Sequence, residues 1–137
     1  MSKRLLERRF AAAPGELKAT RHAVQRALAD FGMSEADARD VVMALDEACQ
    51  NVIRHAYIED GSGEIELAIE HEGDTLVFWL TDWAPRIDPV QVRPRDLDDV
   101  RPGGLGTHLI REVMDSADFV EPPPGCGNLF RMVKQIA

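Results

Sequence analysis

The stretch EIELAIEHEGDTLVFWLTD, residues 64–82, decides the fold class. Residues 64–70 alternate apolar and polar side chains, the period of a strand with one buried face. Glu72-Gly73-Asp74 is a turn. Residues 75–82 are richly apolar, which predicts a strand in the middle of a sheet. Two strands joined by so short a turn pair antiparallel.

Downstream of Asp82 the periodicity stops. Pro85, Pro89, Pro94 and Pro102 forbid regular structure over residues 83–104. An irregular stretch of that length inside a compact domain marks a lid or binding loop. Gly103-Gly104-Leu105-Gly106 then opens a helix with Leu105, Leu109, Ile110, Val113 and Met114 on one face. Phe119 and Val120 begin another strand, residues 122–127 turn the chain, and residues 128–136 supply the last strand.

Upstream, residues 4–12 alternate weakly as a first strand. Pro14 opens a helix that carries Leu17, Val24, Ala27, Leu28 and Phe31 and stops at Gly32. Ser34-Glu35-Ala36-Asp37 has the form of a capping box and starts a helix that runs to about Tyr57. Its apolar face holds Val41, Leu45, Ala48, Cys49, Val52 and Ala56; Glu47, Asn51 and Arg54 form a polar stripe opposite. The order of elements excludes a doubly wound parallel sheet, in which strands and helices alternate throughout. It predicts an α+β, two-layer sandwich.

The chain has 137 residues, close to the usual size of one domain, and nothing in it marks an interdomain linker. With 24 acids against 16 bases its formal charge is −8, which disfavours nucleic acid and anionic membrane surfaces as partners. No window approaches a membrane-spanning apolar run, and MSKRLLERRF lacks the apolar core of a signal peptide. Cys49 and Cys126 show no metal or CxxC spacing and read as reduced thiols. The expectation is a cytoplasmic protein.

Taken singly, the chemical signals are weak. Glu47 and Asn51, four apart, project from one side of a helix, as do many solvated polar pairs. The glycines at 103, 104 and 106 let backbone approach an anion at a helix N-terminus, or simply form a flexible loop; no Lys-Ser or Lys-Thr follows, so this is not a Walker loop. Asp82 ends an apolar strand, where a carboxylate either serves a pocket or closes a turn. His55 reads as a helix-end residue, Arg54 and Lys134 as surface or site residues, and His108 as either a phosphate neighbour or plain surface.

The ordered combination says more. The blocks ALDEACQNVIRHAY (44–57), Asp82 with Ile87-Asp88-Pro89, PGGLGTHLIREVMD (102–115) and LFRMVK (129–134) resemble the GHKL superfamily of ATPases and kinases. More closely, they look like its stand-alone anti-sigma-factor serine/threonine kinases, over about residues 5–135. The resemblance implies the GHKL (Bergerat) form of the sandwich, a mixed, mostly antiparallel sheet packed against about three helices. It implies one Mg-ATP-binding kinase domain with a lid at about 83–104. In it Glu47 would be the general base, Asn51 the Mg²⁺ ligand and Asp82 the reader of the adenine amine. Gly103, Gly104, Leu105, Gly106 and Thr107 would cradle phosphates. The acceptor would be a serine of a STAS-type anti-anti-sigma protein; a sigma factor would be sequestered, and the kinase would be a homodimer.

One position departs from the pattern. The family commonly has glycine two residues after the strand-end Asp, and this chain has Ala84 there. A positive φ at an alanine would cost about 1 kcal/mol or more. Two competing readings follow: a nucleotide-gated binding module that transfers nothing, and a detached histidine-kinase catalytic domain. The second would need a phosphoacceptor-histidine hairpin, which these residues do not contain.

Overall fold

A computed structural model describes residues 2–56, 63–84 and 104–136, with residues 55–56 and 104–107 described at the backbone only. The elements in chain order are β1 (Ser2–Ala11), a 3₁₀ turn (Pro14–Glu16), α1 (Leu17–Phe31), α2 (Glu35–Asn51), β2 (Glu64–Glu72), β3 (Thr75–Asp82), α3 (Gly104–Val113), β4 (Ser116–Val120) and β5 (Asn128–Gln135). The strands form one sheet in the order β1-β2-β3-β5-β4. Each of its pairings is antiparallel. The α+β sandwich read from the residue 64–82 hairpin is the fold observed, with β3 in the centre of the sheet.

The helices cover one side of the sheet. Ile65, Leu67 and Ile69 of β2, Leu76, Phe78 and Leu80 of β3 and Met132 of β5 are buried in one cluster. Leu17, Val24 and Leu28 of α1, Val41, Leu45, Ala48 and Cys49 of α2, Ile110 of α3 and the adjoining Met114 join the same cluster. Phe78 is fully buried at its centre, and burial of a side chain of that size contributes about 2–3 kcal/mol. The period-2 pattern of the strands and the 3.6-residue pattern of the helices thus meet in one apolar layer.

Both helix boundaries upstream have local causes. Gly32 ends α1 in the left-handed conformation, φ 102°, which costs glycine nothing. Ser34 caps α2: its Oγ accepts the Asp37 N–H at 3.2 Å. This cap starts the helix that carries Glu47 and Asn51.

Three details differ from expectation. The α2 helix does not continue regularly to Tyr57; after Asn51 it widens into a π turn over Val52–Ala56, and residue 57 lies outside the described residues. A π turn advances less per residue than an α turn, and it brings Ile53 into the core, 3% exposed, while Val52 is only half-buried. Strand β4 starts at Ser116 rather than Phe119, because Ser116-Ala117-Asp118-Phe119 already alternates and pairs with β5. Strand β1 starts at Ser2 and carries an irregularity between Arg4 and Leu6. Among the described residues no helix is long and apolar enough to cross a membrane.

Ser34→Ala removes an N-cap acceptor and is expected to lower stability by about 1 kcal/mol. Urea denaturation followed by circular dichroism checks this; an unchanged midpoint contradicts the capping role.

Candidate functional site

Glu47 and Asn51 lie one turn apart on α2, and both are half-buried. The α2 helix packs against α3. Asp46 ties α2 to α1: it accepts Nη1 of Arg21 at 3.0 Å, and also accepts Nε2 of Gln50 at 2.7 Å. Burial pushes the Glu47 carboxyl above the usual glutamate range, Arg54 pulls it back, and Asp46 adds to the rise. The result is a carboxylate held less acidic than a solvated one, with a cation at the end of its own stripe.

Asp82 is 3% exposed, at the last position of β3. It shares a face with Leu76, Phe78 and Leu80, so its carboxylate is turned to the helix side of the sheet. A buried carboxylate is costly unless it is hydrogen-bonded. Its Oδ1 accepts the Ala84 N–H at 3.0 Å and Nδ2 of Asn128 at 3.0 Å. Burial raises its pKa, while donation from the Asn128 side chain and from the backbone N–H groups of Ala84 and Asn128 opposes the rise.

The Asn128 clamp was not read from the sequence, nor was Gly127 before it. The Gly127 N–H donates to the Asp82 carbonyl at 2.8 Å. A Cβ on Gly127 would lie 1.9 Å from the Ala84 carbonyl oxygen, so only glycine lets β5 approach this closely. Ala84 itself is buried, 4% exposed, between these partners. The available signal was the Gly-Asn pair opening the last strand, but its partner is 46 residues away.

The remaining candidates fall as follows. Gly103 lies outside the described residues, as does most of the 83–104 segment. The backbone of Gly104, Leu105, Gly106 and Thr107 forms the first turn of α3. The first N–H groups of a helix have no acceptor within it and suit an anion. His108 is exposed and meets Glu112 at 3.1 Å, one turn on. Lys134 is not plain surface: its Nζ donates to the Val113 carbonyl at 3.2 Å and caps α3. The side chain of His55 lies outside the described residues. Cys49 and Cys126 are free, and burial pushes the Cys49 thiol up to about 12, which leaves it inert.

The structure therefore sets an acid–amide pair on a helix that packs against the one beginning at Gly104. It also turns a clamped carboxylate at the end of β3 toward the same helical layer. Among the described residues no cluster of three or more His, Cys, Asp or Glu side chains could hold a metal ion. A metal here would take few protein ligands and fill its shell with water and ligand oxygens, the habit of Mg²⁺.

Comparison with known proteins bears on the family and the fold. The family model described as histidine kinase-like ATPase domain matches residues 10–134. The serine-protein kinase RsbW of Halalkalibacterium halodurans is 31% identical over 99 residues, which cover 66% of this chain and 60% of that relative. The match thus spans about three fifths of the relative's length. Two solved structures share the fold. The RsbU and RsbW domains of Rv1364c from Mycobacterium tuberculosis superpose with a TM-score of 0.64 at 18% identity, over 95% of this chain and 31% of that one. The SiaB-SiaC complex from Pseudomonas aeruginosa gives a TM-score of 0.63 at 22% identity, over 97% of this chain and 91% of that one.

Gly127→Ala forces backbone apart at the Asp82 clamp and is expected to cost about 1–3 kcal/mol, read as a lower thermal midpoint. Asn128→Leu leaves the buried carboxylate short of a donor and is expected to cost a similar amount at neutral pH. Protonation of Asp82, whose pKa is raised in the folded state, removes the need for that donor. The deficit of Asn128→Leu relative to wild type should therefore shrink as pH falls. Urea titrations from mildly basic to acidic pH measure it; a deficit independent of pH contradicts the clamp.

Proposed function

This chain belongs to the histidine kinase-like ATPase domain family, and from that membership we propose that it is an anti-sigma-factor-type serine/threonine protein kinase. It binds Mg-ATP, phosphorylates a serine of a STAS-type anti-anti-sigma protein, and sequesters a sigma factor. A homodimer is part of the same reading. The observation that carries the catalytic part is the half-buried Glu47 one turn before Asn51, on the helix that packs against α3. The serine-protein kinase named among its relatives supports the reaction class.

Each residue has a role that its surroundings suit. Asp82 accepts the adenine amine: Asn128 and Ala84 orient the carboxylate and favour its ionised form, an acceptor without a proton to donate. Backbone N–H groups at the start of α3, from Gly104 to Thr107 with Gly103 before them, bind the phosphates at the positive end of the helix. Asn51 offers its side-chain oxygen to Mg²⁺, a hard ligand for a hard cation. Bound there, the metal would offset phosphate charge.

Glu47 takes the proton of the acceptor serine hydroxyl. As it does so, the serine oxygen bonds to the terminal phosphorus, and the bond from that phosphorus to the bridging oxygen breaks to release ADP. Only the ionised carboxylate can accept the proton, and a pKa raised toward neutrality makes it a stronger base. Ala84 is the one feature that favours a module which binds without transfer, since it stands where the family commonly has glycine; intact Glu47 opposes that reading.

Glu47→Gln is expected to lower phosphotransfer to a STAS partner by at least about a hundredfold while ATP affinity stays within about threefold. Asn51→Ala should weaken both. Label from γ-phosphate-labelled ATP should be acid-stable and on serine; binding without labelling selects the module, and acid-labile label on histidine selects the histidine-kinase reading. The rate should fall on the acid side as Glu47 protonates. Arg54→Gln, by removing the charge that lowers the Glu47 pKa, should move that limb to higher pH. Wild-type transfer by Glu47→Gln, or a limb unmoved by Arg54→Gln, contradicts the assignment.

A further inference from the structure

The segment that leaves β3 after Asp82 is held by a residue of the edge strand β1. Asp82 ends β3, and its register partner is Ile65 of β2. The next residue, Trp83, therefore leaves the sheet beside Glu64. Strand β1 lies beyond β2, where Arg9 is paired with Glu66. Phe10 of β1 is buried in the core on the helix side, so Arg9 projects from the opposite side. Its side chain crosses β2, and the guanidinium lies over the Trp83 ring, 4.2 Å from the centroid. Glu64 fixes the cation there: its Oε1 accepts Nε of Arg9 at 3.2 Å and Nη2 at 3.0 Å.

This contact bears on the peptide group that serves the buried carboxylate. The Ala84 N–H that donates to Asp82 Oδ1 at 3.0 Å belongs to the peptide joining Trp83 to Ala84. That peptide lies against Gly127, where a Cβ would sit 2.9 Å from the Trp83 carbonyl carbon and 2.9 Å from the Ala84 nitrogen. Strand β5 thus confines the peptide through its backbone, while β1 holds the half-buried Trp83 side chain through Arg9. The side chains of Arg9 and Glu64 are 51% and 52% exposed, and an ion pair so exposed adds little stability. A flat guanidinium on an indole face has a definite geometry, and it favours one placement of the ring. The contact is better suited to fixing orientation than to holding the fold together.

We propose that Arg9 is a positioning residue for adenine recognition. By stacking on Trp83 it orients the Trp83–Ala84 peptide, and through that peptide the Asp82 carboxylate that receives the adenine amine. The inference rests on the nucleotide reading above and adds to it a residue two strands away from the carboxylate. It also gives a use to the departure at this turn. Where the family commonly has a glycine, with a backbone free to reorient, this chain has Ala84 after an anchored Trp83.

Calorimetric titration with Mg-ADP and with Mg-IDP, whose base carries a carbonyl in place of the adenine amine, tests this. Wild type should favour ADP by at least about tenfold. Arg9→Ala should lower ADP affinity about three- to fivefold and IDP affinity by less than about twofold. Arg9→Met keeps the length of the side chain without its charge and carries the test if Arg9→Ala does not fold. In a Trp83→Leu background Arg9→Ala should change ADP affinity by less than about twofold, since the ring it acts through is gone. A merely structural role would lower both affinities alike and leave their ratio unchanged; that result overturns the proposal, as does a full effect of Arg9→Ala in the Trp83→Leu background. A wild-type chain that binds ADP and IDP equally, or neither, overturns the adenine role of Asp82 itself and this inference with it.

Discussion

A carboxylate that must be buried at the end of a central strand governs much of this molecule. Asp82 sits where β3 leaves the sheet, and it is tolerable there only because β5 begins alongside it with a glycine and an asparagine. Gly127 allows the backbone approach, and Asn128 supplies a side-chain donor. The same contacts help to hold β5 beside β3; β4 lies at the sheet edge, so the chain returns inward after β4. A buried carboxylate held by several donors is a costly choice for stability alone, since an apolar residue would fill the space at lower cost.

The helical layer supplies the complementary half. Ser34 starts α2, and the helix that carries Glu47 and Asn51 is bridged to α1 by Arg21–Asp46 and packs against α3. Regular helix ends at Asn51, where the π turn begins. Such turns interrupt helices at functional positions often enough that this one, directly after the proposed metal ligand, is consistent with the reading. Packing, electrostatics and proposed chemistry therefore converge on one side of the sheet. The opposite side shows a different character, apolar at Val77, Trp79 and Val133 with Arg131 among them.

What was legible in the sequence was what is local. The strict alternation of residues 64–70 and the turn at Gly73 are enough to pair β2 with β3; Gly32 and Ser34 mark helix ends through their own backbone and side-chain preferences. Glu47 and Asn51 were visible as a pair because helical geometry brings positions four apart together. What was not legible depends on distant partners. Asn128 and Gly127 acquire meaning only when β5 is laid beside Asp82. The role of Lys134 as a cap on α3 needs the sheet to be assembled first. The π turn leaves no pattern in VIRHA that separates it from ordinary helix, and the start of β4 was hidden by its small and polar first residues. Ala84, a departure from the family's glycine, turns out to sit buried inside the Asp82 clamp, with its N–H as one of the donors.

The central claim is that one adenine nucleotide with Mg²⁺ touches α2, the start of α3 and the end of β3 together. Backbone amide chemical-shift mapping by nuclear magnetic resonance, during titration with a non-hydrolysable ATP analogue and Mg²⁺, tests it most directly. The account predicts that the largest shifts cluster at Asn51, Ala84, Gly104 to Thr107 and Asn128, and saturate together. Shifts absent from these residues, or confined to one of the three elements, would contradict it.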